Sequence, residues 1–184
     1  MEMLSGGDLR SDGRSNEVVE IVLRNPQLLG KLIEALSVPD DVIRGRAADA
    51  LEKVSRTRPK LVQEHLPLLI KLAYDDKVPM VKFHVAMIFG NLKVSGEMFD
   101  QITSALFHLL QDESVFVKSW TIVSLCIISR RNKDVREKTI EKIRSLQNHK
   151  SIAIRSKVSK ALKTLENNEP IPPNWLKAKD SQVH

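Results

Sequence analysis

The stretch Ser114-Val115-Phe116-Val117-Lys118-Ser119-Trp120-Thr121-Ile122-Val123-Ser124-Leu125 decides the fold, because its Val117-Lys118 pair recurs. The same hydrophobic-then-basic pair stands at Ile43-Arg44, Val81-Lys82 and Ile154-Arg155, with 38, 36 and 37 residues between successive basic members. A fixed period of this length marks a repeat array. Counting from the basic residue, position plus three holds Ala47, Val85, Thr121 and Val158, plus seven holds Leu51, Phe89, Leu125 and Leu162, and plus ten holds Val54, Leu92, Ile128 and Leu165. That is helical spacing, so each unit carries a helix with an apolar stripe to bury.

Counting backward gives a second helix per unit. Minus twelve holds Leu32, Ile70, Leu106 and Ile143, and minus nine holds Ala35, Ala73, Leu109 and Leu146. The two helices are joined by polar turns: Pro39-Asp40-Asp41, Asp75-Asp76-Lys77, Gln111-Asp112-Glu113 and Asn148-His149-Lys150. Asp, Asn and Pro there end one helix and cap the next. No alternating strand pattern bounded by tight-turn dipeptides competes with this reading. One helix pair cannot cover its own stripe, whereas a stack can. The expected fold is all-α, a right-handed superhelix of about four helix pairs.

The turn acids Asp76 and Asp112, the repeated Val/Ile-Arg/Lys pair and the run Ala47-Ala48-Asp49-Ala50-Leu51 resemble the HEAT-repeat family over roughly residues 26–166. The resemblance implies a polar ladder between repeats, built by Arg44, Lys82, Lys118 and Arg155 with Asp76 and Asp112. It also implies an adaptor or scaffold role. Two columns depart from the pattern: the first unit has its acids at Asp40 and Asp41, and the last has Asn148.

The chain has 184 residues, 42% hydrophobic and only 4% aromatic, enough for one core filled by aliphatic side chains. Its single cysteine, Cys126, falls in the most apolar helix and is expected as a buried structural thiol. No charged-then-apolar leader and no run of 18 apolar residues occur, so a cytoplasmic protein without membrane attachment is expected. Residues 1–14, rich in Gly, Ser and Asp, read as a flexible leader. The repeat domain runs over residues 15–166, opening with a lead-in helix capped by Ser15 or Asn16. Residues 167–184 are a Pro-rich tail in which Trp175 and Leu176 fold back as a cap or project as a docking element.

Nothing in the sequence composes a catalytic centre. His65, His84, His108, His149 and His184 make no zinc pattern, and no Gly-rich phosphate loop or nucleophile elbow is present. The expectation is a non-enzyme without cofactor or metal.

Two surface features carry the functional expectation. The first is charge asymmetry: residues 1–116 have 14 Lys/Arg against 17 Asp/Glu, and residues 117–184 have 15 against 6. Lys157, Lys160 and Lys163, three apart on the last helix, could meet phosphates or an acidic protein, or merely solvate a terminal repeat. The second is a central apolar strip: Met87 and Val123 at plus five, with Gly90 and Cys126 at plus eight, stand where the outer units have Asp49, Lys160, Glu52 and Lys163, and Phe83 at plus one and Trp120 at plus two extend it. An apolar centre between acid and base reads as a protein-binding groove, with nucleic-acid contact through the basic last repeat as the alternative and homodimerisation as a third use.

Overall fold

The computed structural model describes residues 2–8 and 11–177; His184 and the end of the tail lie outside that range. Helices α1 (Ser15–Arg24), α2 (Leu29–Ala35), α3 (Asp41–Thr57), α4 (Pro59–Gln63), α5 (Leu66–Asp75), α6 (Pro79–Asn91), α7 (Gly96–Leu109), α8 (Val115–Arg131), α9 (Arg136–Arg144) and α10 (Ile152–Glu166) follow in order. No strand occurs among the described residues. The repeated pairs fall near the starts of α3, α6, α8 and α10, and these four helices pack on one another in chain order. The pairs α2/α3, α5/α6, α7/α8 and α9/α10 are each in contact, so the sequence period corresponds to helix hairpins. Short α4, entered through Pro59 at its first turn, is an addition that the period did not announce.

Local chemistry fixes the turns. The Asp40 carboxylate accepts from the amides of Val42 (2.8 Å) and Ile43 (3.0 Å), capping α3. Asp76 accepts from Val78 N (2.7 Å) and Asp112 from Ser114 N (2.8 Å), and each also takes the basic residue of the preceding unit. Arg44 Nε lies 3.2 Å from Asp76, and Lys82 Nζ lies 2.9 Å from Asp112. Burial alone would raise the Asp112 pKa; the Lys82 and Ser114 hydrogen bonds and the Lys82 and Lys118 charges outweigh it and lower it. The next rung is absent for a visible reason: six residues before Arg155, where the column continues, stands His149 rather than Asn148. Its Nδ1 accepts from Ser151 N at 3.1 Å as the two aspartates accept from their own turn amides, and Lys118 donates to the Leu110 carbonyl at 3.3 Å instead. Arg155, in the last unit, donates to the carbonyls of His149 (2.8 Å) and Lys150 (3.0 Å).

The leader departs from expectation. Leu4 is buried, and residues 2–8 and 11–14 lie against α3, held by a nearly inaccessible Arg46. Its guanidinium donates to the carbonyls of Leu4 (3.0 Å), Ser5 (3.0 Å), Gly6 (2.6 Å), Asp8 (3.2 Å) and Ser11 (3.1 Å). Turning that many carbonyls toward one cation needs left-handed backbone, and Gly6, Gly7 and Gly13 supply it with φ of 77°, 70° and 54°. Glycine content that suggests mobility is here the condition for wrapping a buried charge. Ser15 is the first residue of α1 rather than its cap, and its hydroxyl donates to Asp49 at 2.5 Å.

Candidate functional site

Position plus two of the four stacked helices aligns Arg46, His84, Trp120 and Lys157. The two ends of this row are covered by the two ends of the chain. The leader covers Arg46. At the other end Trp175 is buried, with Lys157 Nζ 5.1 Å from its ring centroid and 5.3 Å from that of Trp120. Of the two tail readings, the structure has the folded-back one.

Between the covered ends a window remains. A cleft of about 280 Å³ is lined by Asp12, Arg46, Asp49, Met80, Phe83 and His84. Phe83 stacks at 4.0 Å on His84, and its ring lies 6.2 Å from that of Phe116, which is 69% exposed. Phe116 was not among the residues singled out from the sequence. Its signal was an aromatic side chain directly before the Val-Lys pair, where a first-turn residue need not contribute to the buried stripe. Ile152, in the first turn of α10, is 75% exposed and went equally unnoticed.

The polar wall of the cleft is tightly organised. Asp49 receives Ser15 Oγ, Lys53 Nζ at 2.7 Å and His84 Nε2 at 3.4 Å, while His84 Nδ1 faces the Met80 carbonyl at 2.9 Å. Burial alone would raise the Asp49 pKa. The hydrogen bonds from His84, Lys53 and Ser15 and the His84 charge outweigh it and hold the carboxyl well below the ordinary range. A depressed folded-state pKa stabilises the fold above the unfolded value of about 4, and this contribution fades as the pH falls below it. Asp49→Asn should therefore cost about 2 kcal/mol at pH 7, measured by urea melts from pH 7 down to pH 2. The cost should shrink only gradually below about pH 4 and still be substantial at pH 3, where the folded-state carboxyl remains ionised. A cost that does not change with pH across that series would remove the electrostatic account.

Two sequence expectations about the strip are corrected. Met87 and Val123 are not on a groove floor; they are buried, at 7% and 1% exposure, as are Gly90 and Cys126. Glu52, expected on an acidic rim, is fully buried beneath Arg56 and Asn91. The reason is packing on several sides: α6 contacts α3, α5, α7 and α8, and α8 contacts α6, α7, α9 and α10. The near-continuous apolar runs 85–90 and 121–128 were the signal, since a helix apolar all round is a buried helix. Phe83 and Trp120 alone of the four are partly exposed.

The lysine stripe also splits. Lys160 and Lys163 are exposed, whereas Lys157 is half-buried against the two indoles. Burial, followed by the nearby Lys160 and Lys177 charges, lowers its pKa. Burial pushes the Cys126 thiol up to about 12, which leaves it un-ionised at neutral pH. Among the described residues no group of three or more His, Cys, Asp or Glu side chains could hold a metal ion, and no helix is long and apolar enough to cross a membrane.

No family model matches the chain, and no curated protein matches it. Among solved structures, a crystal structure described as an engineered protein, from the Northeast Structural Genomics Consortium, is similar. It has a TM-score of 0.65 and 20% identity, over 90% of this chain and 79% of that one. At that identity the likeness concerns the fold.

Proposed function

We propose that this protein is a non-enzymatic, cytoplasmic interaction scaffold: a HEAT-like, right-handed superhelix of four helix pairs that docks a protein partner at the window. The observation that carries the reading is Phe116, largely exposed, with its ring 6.2 Å from that of Phe83, which lines the cleft. A large apolar side chain kept in water next to a preformed recess is an arrangement that binding would complete. The partner segment would place one aliphatic or aromatic anchor between Met80, Phe83 and Phe116. Asp12 and Asp49 line the cleft beside that anchor.

Selection of peptides from a displayed library on the full chain, followed by anisotropy titration, tests this. Peptides with a single apolar anchor should emerge, and Phe116→Asp should weaken them by tenfold or more. Lys160→Glu with Lys163→Glu should change them by less than threefold. The opposite pattern would transfer the function to the basic last repeat: no anchor-dependent binding, with salt-sensitive binding of duplex DNA or structured RNA lost in the double lysine variant.

A further inference from the structure

The tail that covers Trp120 and Lys157 is attached in an unusual way. Helix α10 ends at Glu166 with Asn167 as its C-cap, and Asn168, with φ of 61°, turns the chain back. Contacts to the helices are concentrated at this hinge: Arg130 reaches the Asn168 side chain, Glu169 N donates to the Lys163 carbonyl at 3.4 Å, and Thr164 Oγ1 donates to the Pro170 carbonyl at 3.5 Å. Beyond it, among the described residues, no hydrogen bond ties residues 171–177 to the helices; Trp175 N bonds the Pro172 carbonyl within the segment itself. The segment is held by side chains alone, with Trp175 buried and Ile171 and Leu176 packed against the core.

Prolines at 170, 172 and 173 restrict the unbound chain, so docking one indole costs little conformational entropy. One part of the fit is poor. Lys177 brings its ammonium to 5.8 Å from the Trp120 ring that Lys157 already occupies, and Lys157 has both Lys160 and Lys177 as like-charged neighbours.

We propose that the Trp120–Lys157 surface is a recognition site for a short proline-preceded tryptophan segment, that residues 172–176 are its occupant in cis, and that a protein partner with the same pattern, carrying an acid where Lys177 stands, displaces them. The partner's acid would pair with Lys157 and Lys160, whereas Lys177 repels them, so the charge mismatch makes the tail a replaceable resident. This goes beyond the window reading and is independent of Phe116.

The test uses the full chain and a fluorescein-labelled peptide of residues 168–177 carrying Lys177→Glu. Trp175→Ala, which empties the site, should bind it at least tenfold tighter than the wild-type chain does, and the peptide with the native lysine should bind at least threefold more weakly. Adding Trp120→Ala should abolish the gain. Equal binding by wild type and Trp175→Ala, or none by a folded Trp175→Ala, would overturn the proposal. A second measurement needs no variant: the chain has two tryptophans, so 5-fluorotryptophan labelling gives two fluorine resonances. Saturating peptide should move the Trp175 resonance to a solvent-exposed position, and an unmoved resonance refutes displacement. Phe116→Asp should leave tail-peptide binding within twofold, so failure here and failure at the window are read separately.

Discussion

Arg46→Ala is expected to lower the thermal midpoint by roughly 6–10 °C, corresponding to a loss of about 3 kcal/mol at this chain length. The guanidinium is 4% exposed and is the common donor to five leader carbonyls. Alanine leaves those carbonyls without their partner, and the leader regains them as water hydrogen bonds only by detaching. Leu4 then loses its buried position, and the Asp12 side of the cleft opens. Limited proteolysis should accordingly remove the first ~14 residues well below the global transition, since an exposed, unpaired terminus is the preferred site of nicking. Arg46→Lys should recover little of the loss, because three donors on one nitrogen cannot span a ring of acceptors that a planar fork reaches. A midpoint within 2 °C of wild type and a protected leader would show that the clamp does not hold the N-terminus.

Gly90→Ala is expected to destabilise by about 2 kcal/mol, although alanine is the better helix former by about 1 kcal/mol. A methyl group on Gly90 would meet Ser124 Oγ at 2.8 Å, Ser124 Cβ at 3.2 Å and the Ser124 backbone at 3.3 Å. The hydroxyl cannot swing aside freely, because it donates to the Ala86 carbonyl at 2.6 Å. The helices α6 and α8 touch at this point, so relief requires them to separate, which loosens the packing on both sides. Ser124→Gly in the same chain removes the two closest atoms and should return part of the stability, giving a coupling of about 1 kcal/mol in a double-mutant cycle followed by urea unfolding. Simple additivity of the two substitutions would mean that the close approach is not what requires glycine.

These two residues mark where sequence reading stops. Gly90 reads as a glycine inside a helix, and its reason lies on another helix 34 positions later. Arg46 reads as one more surface base, two residues past a repeated one. Nothing in its neighbourhood shows that a glycine-rich leader some 40 positions earlier turns its carbonyls onto it. Pairwise spacing reveals faces of one helix, whereas these contacts depend on how separate segments meet. The ladder was implied by the resemblance rather than by spacing: Arg44 meets Asp76 and Lys82 meets Asp112, whereas Lys118 and Arg155 turn to backbone carbonyls. The site was legible in part. Phe83 and Trp120 are partly exposed, but the strip assigned to Met87 and Val123 was a rotation about the helix axis, which an apolar-all-round helix leaves undetermined.

The sequence by itself determined the helix pairs, their period, the polar turns between them and the Asp40 cap of α3. Periodic burial of one face is a local property, written residue by residue. Only the tertiary structure decided which surface stays in water. The two chain ends fold over Arg46 and over Trp120 with Lys157, leaving Phe83 partly exposed and Phe116 largely exposed between them. Exposure depends on every segment that could cover a residue, and here the covering segments were the two least periodic parts of the chain.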